Sequence, residues 1–415
     1  MIRLKFVAAA AAACAFSSTT FAADLGGNCC ADLEERIAEL EATTARKGNR
    51  KVSLTVSGWV NQAIFMWDDG VERNAYVGTN GLEQDRFRFV GEAKIIEGWS
   101  AGYTLEIGLD GANSKLFSQT SDGNVNDVVD RRASWFVKSK DYGKVTIGKD
   151  ANSTYHLLDN VDFTLTRNVS DAEATGVYLS SFILRSDGAL LGTTKWTDIM
   201  GGFNNATPGQ PGLRNVVAYE TPTFAGFSAG TSWGEDDMWD VALAYKNDIG
   251  DFKVSAKIGY SETTDPATNG GQCAIGIGTG DCQYWGGAAV VMHTPTGLYV
   301  YGAYSENKID PLPGAVNVDD TSTMFFIQAG IEQKWISLGK TNFFAEYRND
   351  DVGLSKSADE SDMNFWAAGI VQNIENADLS LYAQYRHFDG DFTDAGAKTN
   401  LDALDMVITG AKMNF

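Results

Sequence analysis

From Lys51 to the final residue, Phe415, apolar and polar side chains alternate with a period of two. That period places successive side chains on opposite faces of an extended chain, so it reads as strand and not helix. Trp99, Ala101, Tyr103, Leu105 and Ile107 share one face, with Ser100, Gly102, Thr104 and Glu106 on the other. The same alternation runs through Val52–Ile64, Phe252–Tyr260 and Leu379–Arg386. Sixteen such segments are expected, near 51–67, 84–96, 99–109, 131–139, 144–150, 213–221, 224–233, 239–247, 251–260, 284–293, 297–305, 322–334, 341–349, 362–372, 379–388 and 403–415. All 7 prolines fall between them, where a missing N–H costs no ladder bond.

The connections alternate between short (such as Glu97-Gly98, Pro222-Thr223 and Thr294–Thr296) and long (68–83, 110–130, 151–212, 261–283, 306–321, 350–361 and 389–402, with a shorter one at 234–238). An even-numbered meander with tight turns at one end and long loops at the other is the pattern of a transmembrane β-barrel. Lipid demands that every backbone group be bonded within the protein, so the sheet must close on itself. A soluble sandwich, the competing architecture, would bury one strand face and impose no short–long rhythm. Sixteen strands enclose more space than their own side chains fill, so the polar face should line water. Trp59, Trp67, Trp99, Tyr103, Trp135, Tyr219, Trp233, Tyr245, Tyr260, Tyr299, Tyr301, Tyr347 and Tyr385 are candidates for aromatic girdles, although some must pack inside. No apolar run reaches the roughly 18 residues of a membrane helix. A net charge of −21 argues against a nucleic-acid surface.

Residues 1–22 carry Arg3 and Lys5, an apolar middle and a small-x-small end at Thr20-Phe21-Ala22, the arrangement of an export signal. Leu33, Ile37 and Leu40 have coiled-coil spacing inside 23–50, which reads as a short periplasmic helical segment. Adjacent Cys29 and Cys30 are unsuited to bridging each other. Cys273 and Cys282 flank a glycine-rich stretch that a disulfide would staple, the alternative being two unpaired loop thiols.

RRASWFVKSKDYGKVTIGKD (131–150) resembles the hairpin before the constriction loop of Gram-negative general porins. RNVVAYETPTFAGFSAG (214–230) is similar to another porin segment. The last strand, with Val407, Thr409, Ala411 and Met413 alternating behind Phe415, resembles the C-terminal signal read by the outer-membrane assembly machinery. The stretch CCADLEERIAELEATTARKGNRKVSLTVSGWV closely resembles the alphaproteobacterial, rhizobial-type porin family. The resemblance implies an all-β, sixteen-stranded antiparallel transmembrane barrel over 51–415, assembled as a homotrimer in the outer membrane among lipid and lipopolysaccharide. It also implies passive diffusion of small hydrophilic solutes, a third surface loop (151–212) that narrows the channel, and no cofactor or metal. A substrate-selective channel is one alternative. A structural tether, with the N-terminal segment engaging peptidoglycan, is another.

If the apolar partners face lipid, Arg86, Arg88, Lys94, Arg132, Lys138, Arg214, Lys253, Lys257, Arg348 and Arg386 face the lumen. Asp159, Asp162, Asp171 and Glu173 of the constriction loop are expected opposite them, setting up a transverse field. With acidic outer loops added, a modest cation preference is expected. GWSAG (98–102) and GFSAG (226–230) match a nucleophile elbow, but each serine sits in a period-two segment with no helix after it. No catalytic residue is assigned.

Overall fold

The computed structural model describes residues 52–173, 178, 179, 181–200, 212–234, 237–264, 281–310, 319–353, 355 and 357–415. The export signal, the helical segment 23–50 and its cysteines, and Cys273 lie outside the described residues. In chain order the strands are β1 (Ser53–Asp68), β2 (Arg73–Thr79), β3 (Arg86–Ile96), β4 (Trp99–Ser118), β5 (Ser121–Ser139), β6 (Gly143–Asp150), β7 (Ile183–Ser186), β8 (Ala189–Lys195), β9 (Arg214–Glu220) and β10 (Phe227–Gly234). They continue as β11 (Trp239–Ile249), β12 (Phe252–Thr263), β13 (Cys282–His293), β14 (Leu298–Ile309), β15 (Thr321–Ile336), β16 (Gly339–Val352), β17 (Glu360–Ile374), β18 (Leu379–Asp394), β19 (Ala397–Asn400) and β20 (Leu404–Asn414).

Sixteen of these strands form a closed antiparallel ring, running β1, β3–β6, β9–β18, β20 and back to β1. Each expected segment coincides with one ring strand, in order. The ring shuts where Ser53–Trp59 of β1 pair with β3 and Trp59–Asp68 pair with β20. There the Gly58 N–H donates to the Phe415 carbonyl at 2.9 Å, and the Phe415 N–H donates back at 3.0 Å. Closure leaves no unpaired rim.

Burial along the strands is inverted relative to a water-soluble protein. In β14, Leu298, Val300 and Tyr304 are exposed while Tyr299, Tyr301, Ser305 and Asn307 are buried. Val60, Leu105, Trp135, Leu243, Ile258 and Phe343 continue the exposed apolar face around the ring. Among the described residues, no helix is long and apolar enough to cross a membrane.

Three expected loops hold more strand than anticipated. β2 pairs with the end of β1, β19 pairs with the end of β18, and residues 110–130 extend β4 and β5 into a longer hairpin. Packing and not periodicity holds β2 in place: the Tyr76 ring lies 6.1 Å from Trp67 and 5.1 Å from Phe117. β7 and β8 form a separate hairpin within 151–212, followed by a short helix, Trp196–Ile199. The girdle candidates divide: Trp99, Trp135, Tyr219, Trp233 and Tyr347 are exposed outside, whereas Trp67, Tyr299 and Tyr301 are buried on the opposite face.

The connection 151–212 supplies much of the buried apolar material. Leu157, Leu158 and Val161 pack with Tyr284, Val290, Tyr301 and Phe326. Tyr178, Leu179, Phe182, Leu184 and Trp196 pack with Phe65, Trp67, Phe365 and Phe388.

Candidate functional site

A basic wall is built from three neighbouring strands. Cross-strand register sets Arg88 of β3 opposite Glu106 of β4, and Glu106 opposite Arg132 of β5. The register then slips, with Ile107 opposite Asp130, so Arg131 is an extra residue in β5. Strict alternation would send Arg131 to the apolar outer face. The bulge re-aims its side chain, and its Nε donates to Glu106 Oε1 at 2.9 Å. Glu106 is fully buried; Arg86 Nη1 reaches it at 3.4 Å, Arg88 contacts its other oxygen, and Arg132 Nε lies 3.9 Å away. Arg132 also pairs with Asp150. The Arg86 guanidinium lies 4.5 Å from the Trp59 ring, and the Lys412 ammonium 4.2 Å from the same ring. The carboxylates of this wall are withdrawn from solvent, while Arg88 keeps 34% of its side chain exposed and Arg132 keeps 23%.

The first part of the third connection faces this wall. Tyr155 Oη accepts from Arg131 Nη2 at 3.4 Å, and the Arg132 guanidinium lies 6.0 Å from the Tyr155 ring. On its other side the connection is fastened to the inner face of distant strands. Asp240 of β11 accepts from the Thr154 N–H at 2.7 Å and from its hydroxyl at 2.8 Å. Tyr301 Oη donates to the Leu158 carbonyl at 2.7 Å. The Leu165 N–H donates to Glu332 at 2.9 Å. Gln384 and Arg386 both donate to the Val169 carbonyl, at 2.9 and 3.1 Å.

Arg348 is buried beneath this connection and does not stand in open space. Its Nη1 donates to the Ala172 and Glu173 carbonyls at 2.9 and 3.2 Å, and its other nitrogens grip Asp350. Arg386 is equally buried and pairs with Glu346 at 2.8 Å. Lys253 places its ammonium 4.1 Å from the Phe163 ring of the connection. Lys257, with Asn160, Val161 and Ser228, lines a cavity of about 340 Å³. Lys94 and Lys138 are exposed in one cross-strand row through Ser100, away from the arginine cluster. Arg214 stands opposite Asp150 in the ladder.

The four loop acids are all buried and bonded within the connection itself. Asp159 Oδ2 lies 2.9 Å from His156 Nδ1 and 3.3 Å from Arg167 Nη2. Burial raises its pKa, but the two cationic neighbours outweigh that effect and hold the carboxyl below its ordinary range. Glu173 accepts from the Leu158 N–H at 2.6 Å, and burial pushes its pKa up. Burial also pushes Asp162 up to about 6, although it accepts from the Thr164 N–H and the Thr166 hydroxyl. Asp171 accepts from the Glu173 N–H at 2.8 Å. The acidic half of the expected transverse field is therefore turned away from solvent. Alternation already puts Glu106 and Lys412 on the inner face but assigns them no role, nor any to Arg131, Tyr155, His156 and Arg167. The double arginine at 131–132 was the available signal, since two adjacent residues can both face inward only through a bulge.

The sequence profile of Gram-negative porins matches residues 8–393. The chain belongs to the Gram-negative porin family. Its barrel is accordingly an outer-membrane one, and the exposed apolar face meets lipid. This porin is 26% identical over 210 residues to outer membrane porin protein 32 of Delftia acidovorans, a match that spans 50% of each chain. In structure it resembles an anion-selective porin from Comamonas acidovorans (TM-score 0.58, 17% identity), over 88% of this chain and 100% of that one. It also resembles OmpF of Salmonella typhi in complex with daunomycin (TM-score 0.53, 14% identity, 89% and 99%). A trimer form of OmpT from Vibrio cholerae is similar at a TM-score of 0.52 and 14% identity, over 88% and 99%. Ser100 and Ser228 of the two elbow-like motifs are paired within β4 and β10 of the porin. Cys282 opens β13 and is disulfide-bonded.

Proposed function

We propose that this porin forms a water-filled channel for passive diffusion of small hydrophilic solutes and ions, narrowed by residues 151–212 folding inward, and that its neck favours anions. Support for the inward course comes from the bonds that tie Thr154, Leu158, Leu165, Val169, Ala172 and Glu173 to β11, β14, β15, β16 and β18. The observation that carries the charge preference is the asymmetry of exposure at the neck. The side chains of Arg88, Arg132 and Arg167 stay partly exposed, whereas Glu106, Asp159 and Glu173 are buried. A passing ion therefore meets cations. This reverses the preference expected from the acidic outer loops, because the narrowest point dominates the barrier.

The test is the zero-current potential of the porin in a planar bilayer across a KCl gradient. Wild type is expected to take the sign of chloride permeation. One guanidinium about 4 Å from an ion contributes about 1 kcal/mol in a water-like medium, roughly five-fold in permeability. Arg88→Gln together with Arg132→Gln should move the potential toward or past zero. A potassium-selective wild type would overturn the charge assignment.

The remaining elements of the reading rest on sequence. Residues 1–22 serve as the export signal, 23–50 as a periplasmic segment able to engage the cell wall, and Phe415 as the assembly signal. The chain is placed in the alphaproteobacterial, rhizobial-type branch, as a homotrimer contacting lipopolysaccharide. Cys282 is assigned Cys273 as its partner. The channel carries no catalytic role.

A further inference from the structure

We propose that His156, Asp159 and Glu173 form a binding site for a divalent transition-metal ion, zinc by their donor set, at the base of the third connection. Two carboxylate oxygens converge on one imidazole nitrogen. Nδ1 of His156 lies 2.9 Å from Asp159 Oδ2 and 3.1 Å from Glu173 Oε2, and one donor atom from each of the three residues lies within 4.8 Å of the others. A single N–H cannot point straight at both oxygens. A zinc ion held at roughly 2.0–2.2 Å by nitrogen and oxygen donors keeps neighbouring donors about 3.4 Å apart, so the nitrogen–oxygen spacings of 2.9 and 3.1 Å need open only slightly to admit it.

The donors are also set in place by the chain. The Asn160 N–H donates to the His156 carbonyl and the Asp162 N–H to the Asp159 carbonyl, winding this stretch so that residues 156 and 159 share a face. The other oxygen of Glu173 is pinned by the Leu158 N–H, and Leu157 and Leu158 are fully buried behind it. Asp159 supplies a second, independent indication. Its Oδ1 is buried and has no hydrogen-bond partner among the described residues, and an ion bound by both carboxylate oxygens would satisfy it.

One imidazole with two carboxylates suits zinc, with water completing the four-coordinate shell. Arg167 shares Asp159 Oδ2 at 3.3 Å, so entry of the ion must loosen that pair. His387 provides the contrast. It also touches two aspartates, but through opposite ring nitrogens (Nδ1 to Asp405 at 2.7 Å, Nε2 to Asp389 at 3.2 Å), so those oxygens diverge.

An effect of the ion on conduction rests on the channel reading above; its binding does not. The full porin, purified in detergent and stripped with a chelator, is titrated calorimetrically with zinc chloride, alongside His156→Ala, Glu173→Gln and His387→Ala. Cobalt absorption provides a second readout, and a strand-rich circular dichroism spectrum verifies that each variant is folded. The expected result is one more zinc per chain in wild type and His387→Ala than in His156→Ala, with affinity roughly ten-fold or more weaker in Glu173→Gln. Equal stoichiometry and affinity in wild type and His156→Ala would overturn the site, because zinc would then be held elsewhere, as at Cys29 or Cys30. In a bilayer, zinc should change the unitary conductance of wild type and leave His156→Ala unaltered. Calorimetric binding at His156 without that change would retain the metal site and count against its position in the conducting path.

Discussion

Replacing Arg348 by methionine should loosen the third connection while leaving the barrel ring intact. Arg348 is almost fully buried and donates to two carbonyls of the connection, Ala172 and Glu173, while holding both oxygens of Asp350 at 2.7 and 2.8 Å. A hydrogen bond from a charged donor contributes about 1.5–3 kcal/mol, so the two carbonyl contacts together anchor the connection by about 3–6 kcal/mol. Removing the arginine also strands a buried carboxylate, at a cost of about 3–5 kcal/mol. The double variant Arg348→Met/Asp350→Leu separates the two effects. It should recover the barrel's thermal stability but not the anchoring. The assay is single-channel recording in planar bilayers, with limited proteolysis of the purified porin alongside. Both variants should show higher unitary conductance, more open-channel noise and faster cleavage within 151–212. Unchanged conductance, noise and cleavage in both variants would refute the anchoring role.

Asp162 should make the porin more stable in mild acid than at neutrality. Burial raises its pKa from 3.8 to about 6, so between those values the folded state holds a proton that the unfolded state has released. Stability from this group is then greatest near pH 4 and falls as pH rises through 6, by about 3 kcal/mol. Urea unfolding of Asp162→Asn across pH 4–7 should be flatter than that of wild type, and an identical pH slope would dismiss the assignment. Gly58→Val should block closure of the ring. A Cβ there would sit 2.3 Å from the Arg86 carbonyl oxygen and 2.7 Å from Phe415 Cζ, so the folded, heat-modifiable band should be lost on electrophoresis. A normal folded yield would contradict that seam.

The ring was legible in the sequence because period-two alternation is a local property, and lipid enforces it on every strand. Where strands leave the lipid, that constraint lapses. β2, β19 and the outer halves of β4 and β5 are held by cross-strand and aromatic packing that no periodicity announces. The same limit explains the site. Arg86, Arg88 and Arg132 obey alternation and were placed on the inner face, while Arg131 joins them only through a bulge. Trp67 and Tyr301 read as girdle residues by composition, yet the alternation of β1 and β14 puts them on the buried face, where apolar side chains and a carbonyl of the third connection meet them. Asp159, Asp162, Asp171 and Glu173 read as channel charges because their burial is decided by how the connection docks, which sequence spacing does not encode.

The central claim is an open aqueous path through a closed barrel, narrowed by residues 151–212. Liposomes containing the purified porin can be placed in isotonic sugars of increasing size and their swelling followed by light scattering. Rapid swelling in the smallest sugars, slowing steeply with size and extending to larger sugars in Arg348→Met, is the predicted result. Liposomes that stay unswollen in even the smallest sugar would contradict it.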